Sequence, residues 1–312
     1  MRSPFLLALA ATSTLAVQVT TVYNFTSGDV DIENSELRPN GHLLLTTFYE
    51  GHLYTLDPHA ENPKPELVAA LPGATALCGI TSIAYEKYAV VGGVRGTYHY
   101  DNETVYTVDF SQDATNPVIE KVAHLPTAIM LNGMAAVPKN PHIVLIGDAI
   151  RGLLFRVDTT TGASKVAIQD PQLNATSTSS LPIGVNGLKV VGNYVHFTNS
   201  ARNTFGRIPV SDDGETFGEV EIIANLNSTA NDWDDFIIDS NGIAYVAQPV
   251  YGIARILPDG SHSVYVGGDG SGIEGPSSIQ IASDGYAYVT QGGGSVVKFR
   301  LPQNTTLPEG EF

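Results

Sequence analysis

Apolar and polar residues along this chain alternate in short runs that recur at a regular interval. Runs such as His42-Leu-Leu-Leu-Thr-Thr47, Ile143-Val-Leu-Ile-Gly147, Tyr194-Val-His-Phe-Thr198, Ile243-Ala-Tyr-Val-Ala247 and Tyr286-Ala-Tyr-Val-Thr290 have the length and β-branched content of strands. A closing strand follows in each unit: Leu53-Tyr-Thr-Leu-Asp57, Val105-Tyr-Thr-Val-Asp109, Leu154-Phe-Arg-Val-Asp158, Phe205-Gly-Arg-Ile-Pro209, Ile253-Ala-Arg-Ile-Leu257 and Val296-Val-Lys-Phe-Arg300. An opening motif precedes each one, at Ile32-Glu-Asn34, Gly79-Ile-Thr81, Leu131-Asn-Gly133, Val185-Asn-Gly187, Trp233-Asp-Asp235 and Gly275-Pro-Ser277, with starts 42 to 54 residues apart. A period of that size with no helical periodicity predicts propeller blades, so the chain is expected to be all-β, a six-bladed β-propeller. Residues 18–26 are expected to add a strand to the last blade and lock the ring. A stack of independent sandwiches is the alternative, but it would not place polar residues at one phase of the repeat.

In a propeller the innermost strands face the central channel, so the opening motifs bring distant residues together. Glu33, Asn132, Asn186 and Asp234 share that position in four units. Two carboxylates and two amide carbonyls form an oxygen-only set suited to a hard divalent cation such as Ca2+. Turn capping by each residue separately is the competing reading, since Asn-Gly and Asp-Asp pairs often do this. Met130, Leu131, Met134, Trp233, Phe236 and Tyr251 are expected to supply an apolar and aromatic rim, the mixture of a small-molecule pocket.

Composition narrows the partners. The 312 residues carry 16 basic and 32 acidic side chains, a net charge of −16, which repels nucleic acid and anionic membrane surfaces. Arg2 followed by the apolar run from Phe5 and small residues up to Ala16 reads as a cleavable secretory leader over 1–16, leaving 17–312 as a single propeller domain. Five N-x-Ser/Thr sequons, at Asn24, Asn102, Asn174, Asn227 and Asn304, fit a secreted glycoprotein. A lone cysteine, Cys78, excludes an internal disulfide framework and reads as a buried, inert thiol. His196, in an alternating strand, is a candidate acid or base set against a structural histidine, and His99 reads as a surface-strand residue. Gly267-Gly-Asp-Gly-Ser-Gly272 reads as an inter-blade turn, because no helix pattern follows it. Serine-hydrolase, P-loop and zincin signatures are missing.

Glu33-Asn-Ser-Glu-Leu-Arg-Pro39, Asn186-Gly-Leu188 and Asp234-Asp-Phe236 resemble motifs of the gluconolactonase and senescence-marker propeller family. That resemblance implies that Glu33, Asn186 and Asp234 are divalent-metal ligands with Asn132 close by. Met130 stands where those lactonases carry an arginine, which argues against a polar sugar lactone and for an apolar substrate. A fuller resemblance is to a fungal group of secreted, NHL-repeat-related propellers that includes hetero-Diels-Alderases of tropolone-sesquiterpenoid pathways. It rests on Ile32-Glu-Asn34 with Arg38-Pro-Asn-Gly41, Leu71-Pro-Gly-Ala-Thr75 with Gly79-Ile-Thr81, Leu131-Asn-Gly-Met134, Asn186-Gly187 with Thr198-Asn-Ser200, and Asp234-Asp-Phe236 with Ala244-Tyr-Val-Ala247.

The resemblance implies an enzyme of secondary metabolism that promotes cycloaddition of apolar small molecules, a reaction that requires no cofactor, and the chain is expected to be a monomer. Trp233, Met130, Phe236 and Tyr251 would pack the substrates. Asn132 and Asn186 would orient the polar end, with Glu33 or Asp234 assisting proton transfer if no metal is bound. A calcium-dependent lactonase and a non-catalytic binding propeller are the other two readings.

Overall fold

In a computed structural model the described residues are 17–26, 28, 30–226 and 232–308. The expected leader at 1–16 and the sequon at Asn227 lie outside them. All regular structure described is β-strand, and no described helix is long and apolar enough to cross a membrane.

The first blade joins β2 (Ile32–Leu37), β3 (Leu43–Thr47), β4 (His52–Leu56) and β5 (Glu66–Ala70). The second joins β6 (Ala76–Ala84), β7 (Lys87–Arg95), β8 (Tyr100–Asp109) and β9 (Val118–His124), and the third β10 (Leu131–Val137), β11 (Asn140–Asp148), β12 (Leu153–Asp158) and β13 (Ser164–Gln169). The fourth joins β14 (Val185–Val191), β15 (Tyr194–Asn199), β16 (Thr204–Pro209) and β17 (Glu221–Asn225); the fifth β18 (Phe236–Ile238), β19 (Ala244–Gln248), β20 (Gly252–Ile256) and β21 (His262–Gly267). The last blade is β22 (Pro276–Ile281), β23 (Tyr286–Gln291) and β24 (Ser295–Arg300), with β1 (Val19–Asn24) as its outer strand, pairing Val19 with Phe299 and Asn24 with Ser295. The ends of the propeller thus close one sheet, as the sequence pattern predicts, and the fold is a six-bladed β-propeller.

One apolar cluster fills each of the six interfaces between neighbouring blades. Leu44 and Leu53 meet Val90 and Tyr106 between the first and second blades, and Ile32 and Leu45 meet Tyr288 and Val296 between the first and last. Burying both faces of every sheet on a neighbour supplies the hydrophobic driving force that no blade has alone.

The inner strands are not regular. The register slips near their start in five blades, between Ile32 and Asn34, Leu77 and Ile80, Leu131 and Met134, Val185 and Leu188, and Pro276 and Ser278. Such a bulge frees a backbone N–H and re-aims a side chain. Threonine hydroxyls on the second strands accept the freed groups and tie the next blade. Thr46 Oγ1 accepts from Asn34 N at 3.1 Å and donates to Cys78 O at 2.7 Å, while Thr198 Oγ1 accepts from Gly187 N at 2.8 Å and donates to Asp234 O at 2.7 Å. The axial side chains therefore sit on a backbone held from two blades.

Candidate active site at the axial mouth

The bulged starts of the inner strands open on one cavity of about 600 Å³ at the axial mouth, within the range of pockets that enclose a small organic ligand. Glu33, Asn132, Asn186, Asp234 and Met130 all line it, so residues up to two hundred positions apart in sequence share one site. Asn132 and Asn186 are buried, whereas Glu33 and Asp234 are half-buried.

Electrostatics at the floor follow from crowding acids in a desolvated place. Burial pushes the Glu33 carboxyl up to about 7, with the charge of Asp235 adding to the shift and Arg95 opposing it. Burial likewise holds Asp234 well above the usual carboxylate range, helped by Glu33, Asp232 and Asp235 and opposed by a hydrogen bond from Asn186. Asp232, also in the lining, is raised by burial. The floor can therefore present neutral carboxyl groups, which donate hydrogen bonds, beside the amides. Asn186 Nδ2 donates to Ser200 Oγ at 2.9 Å, and Ser200 Oγ donates to Trp233 O at 2.9 Å, so a hydroxyl chain fixes that amide.

Below the floor, Lys189 Nζ is 2.7 Å from Asp235 Oδ1, and Ser278 Oγ is 3.0 Å from both Asp235 Oδ2 and Asn34 Oδ1. This layer separates the mouth from a smaller cavity, lined by Glu36, Ala136, Val190 and Ile237, at the other end of the inner strands.

Two acids hold the segment that presents Met130 and Asn132. Asp148 accepts from Ile129 N at 2.9 Å and from Met130 N at 3.4 Å, and Glu103 Oε1 accepts from Leu131 N at 2.6 Å. Three successive backbone donors are thus fixed by carboxyl groups from β11 and β8. Glu103 Oε2 is buried without a partner, and burial pushes this carboxyl up to about 8.

The aromatic rim differs from the sequence expectation. Trp233 is fully buried between the fourth and fifth blades, edge-on to His262 at 5.4 Å, and Phe236 lies in the same cluster, edge-on to Phe205 at 5.1 Å. Successive residues of an extended segment point to opposite faces, so placing Asp234 in the cavity sends its neighbour Trp233 into the core. Tyr251 sits in the turn between β19 and β20, 45% exposed, and does not line the cavity. The walls are instead Phe48, Tyr98, Tyr100, Leu181 and Ile183, with Arg95 among them. Arg95 and Tyr98 come from the hairpin between β7 and β8, strands of nine and ten residues. Their sequence signal is the break in repeat phase at Val94-Arg-Gly-Thr-Tyr-His-Tyr100.

His196 is stacked on Phe205 at 6.0 Å, and burial pushes it down to about 4, so it is a neutral core residue. His99 is exposed beside Asp101. Cys78 is buried, and desolvation raises its thiol well above the ordinary value.

The donor set suits the divalent ion implied by the resemblance, because a buried carboxyl such as Asp234, raised by the charges of Glu33, Asp232 and Asp235, is what a hard cation relieves. Among the described residues no three His, Cys, Asp or Glu side chains are grouped for metal binding, so amide oxygens would have to complete such a site.

A protein of a Phoma species named "Putative hetero-Diels-Alderase" is 28% identical, over 67% of this chain and 66% of its own length. One from Sarocladium schorii, also named a putative hetero-Diels-Alderase, is 26% identical over 83% of this chain and 73% of its own. This chain is a relative of those proteins. The match spans just under two thirds of the Phoma protein. No family model matches the chain. Among solved structures, a luciferin-regenerating enzyme superposes with a TM-score of 0.69 at 13% identity, covering 95% of this chain and 99% of its own. A putative gluconolactonase superposes with a TM-score of 0.64 at 12% identity, covering 94% of each. At these identities the two structures establish the shared propeller fold.

Proposed function

We propose that this chain is a secreted enzyme of fungal secondary metabolism that binds two largely apolar partners at the axial mouth and promotes their intermolecular hetero-Diels-Alder cycloaddition. The partners would be a tropolone- or polyketide-derived quinone methide and a sesquiterpene alkene. The observation that carries this reading is the mouth cavity itself, in which carboxyl and amide groups converge beneath aromatic and aliphatic walls; the similarity to proteins named for that reaction supports it.

The chemistry asks little of the protein beyond what this cavity holds. Six π electrons rearrange into one C–C bond, one C–O bond and one new π bond, with no net transfer of protons or electrons and no cofactor required. Rate then comes from holding the two partners in contact and from stabilising the negative charge that grows on the heterodiene oxygen. Neutral Asp234 and Glu33, with the Nδ2 group of Asn132, are the donors for that oxygen, and Met130, Phe48 and Tyr100 pack the apolar bodies. Purified protein given a quinone methide generated in situ and a cyclic sesquiterpene should form one stereoisomer of the adduct, and Asn132→Leu should slow this by about 10- to 100-fold. A racemic adduct formed at the uncatalysed rate rejects the reading.

The charge of Glu33, which helps to raise Asp234, favours a second reading, a calcium-dependent lactonase in which Glu33, Asn186 and Asp234 hold the ion. A bound ion would polarise an ester carbonyl. Hydrolysis of a lactone lost both on chelation and in Glu33→Gln would support it, and turnover unchanged by both eliminates it.

For the secretory route, Asn24, Asn102 and Asn304 are exposed and Asn174 is half-buried, but the Asn102 amide is engaged, its Nδ2 donating to Gly73 O at 2.8 Å. We expect glycans at Asn24 and Asn304 first. Endoglycosidase treatment of the fungal protein should lower its mass, and an unchanged mass counts against secretion through that route.

A further inference from the structure

Arg95 is the only lysine, arginine or histidine among the described residues that line the mouth cavity. Its guanidinium donates no hydrogen bond to any described residue. Its Nη1 stands 3.7 Å from Asp31 Oδ2, beyond hydrogen-bond distance and with both side chains well exposed, a kind of pair that contributes little. By contrast, Arg38, Arg151, Arg202 and Arg207 each donate to a carboxylate or carbonyl at 2.7 to 2.9 Å.

Arg95 is nevertheless held in place. Its backbone N donates to Thr75 Oγ1 at 2.9 Å, Arg95 pairs with Tyr100 across the hairpin, and its guanidinium lies over the Phe48 ring at 4.1 Å. A planar fork with unused donors, shelved on an aromatic face at the wall of a cavity, is preorganised for a planar ligand with two adjacent acceptor oxygens. Phe48, Tyr98 and Tyr100 flank it, so the matching ligand is a flat unsaturated ring whose negative charge is shared between oxygens, an acidic cyclic enol.

We propose that Arg95 is the anion-binding residue of the mouth and that it recognises one partner through the delocalised oxygens of an acidic cyclic enol. The use of that partner in bond formation rests on the cycloaddition reading; its binding does not. The apolar partner then occupies the side of the cavity lined by Met130, Leu181 and Ile183, and the Arg95 contact sets which face of the enolic ring meets it.

Binding can be measured by titration calorimetry with 1,3-cyclohexanedione, ionised at neutral pH, and with its neutral enol methyl ether. The wild-type protein should bind the dione anion about tenfold more tightly than the ether, the value of one charge-assisted contact. Arg95→Gln should lose that tenfold while binding the ether unchanged, and Arg95→Lys should keep part of it. Equal binding of dione and ether by the wild type, no binding of the dione at millimolar concentration, or full binding by Arg95→Gln each overturns the proposal. Thermal unfolding confirms that the variants are folded, as expected for an arginine 42% exposed. No cycloaddition partner is present in this assay, so a failed turnover experiment leaves the binding result standing, and the reverse holds equally.

Discussion

An Asp234→Ala protein is expected to fold as stably as the wild type or more so, while losing about 10²- to 10³-fold in cycloaddition rate, the effect of removing one preorganised donor from a developing oxyanion. The stability half follows from where the backbone is held. Asp234 N donates to Ala247 O at 2.9 Å and Asp234 O accepts from Thr198 Oγ1 at 2.7 Å, and both contacts survive loss of the side chain. The carboxyl itself is a liability above neutral pH, since burial and the charges of Glu33, Asp232 and Asp235 all oppose its ionisation. Asp234→Asn retains a donor and should lose only about tenfold. Because Glu33 donates only when protonated and titrates near 7, the rate should also decline as the pH rises through neutrality. Initial rates and urea midpoints for the three proteins decide the matter; an Ala variant as fast as the wild type removes Asp234 from the reaction.

That combination, a destabilising group kept at a functional position, explains why this part of the site was legible in the sequence. Glu33, Asn132, Asn186 and Asp234 stand at one phase of the repeat, each directly after an apolar residue (Ile32, Leu131, Val185 and Trp233), and a six-fold repeat can only bring that phase to the axis. The strands were equally legible, because Leu53-Tyr-Thr-Leu-Asp57 and its five counterparts repeat the same burial pattern. The rim was not. Phe48 and Tyr98 belong to turns between second and third strands and Arg95 ends a second strand; these hairpins vary in length from blade to blade, so the repeat shows only that its phase breaks at Val94–Tyr100, not which side chains face the cavity. Trp233 shows the opposite error: adjacency in sequence to Asp234 suggested a shared cavity, while the alternation of an extended chain requires opposite faces.

The clamp formed by Glu103 and Asp148 was illegible for another reason, since a side chain bonding a backbone 18 to 28 residues away leaves no mark in spacing. Its energetics nevertheless give a large expected effect on stability. The folded protein keeps the Glu103 proton up to about pH 8, whereas an ordinary glutamate releases it near 4.5. Across that interval the folded state binds more protons than the unfolded chain, so stability falls as the pH rises from about 4.5 to 8 and is constant, for this group, outside it. The loss attributable to Glu103 is on the order of 5 kcal/mol, because the residue is 2% exposed and solvent screens it little. Glu103→Gln keeps an acceptor for Leu131 N and has no charge to form. It should match the wild type within about 1 kcal/mol at pH 5 and exceed it by several at pH 8. Denaturant midpoints followed from pH 4 to 9 test this, and parallel curves for the two proteins would show that Glu103 ionises without penalty. Glu103→Leu separates the clamp from the charge: it too escapes ionisation, but it leaves Leu131 N unpaired and releases the segment carrying Met130 and Asn132. Its cycloaddition rate should fall about tenfold or more at unchanged pH profile, with Glu103→Gln retaining activity, because an oriented amide at Asn132 depends on the backbone that this acid holds.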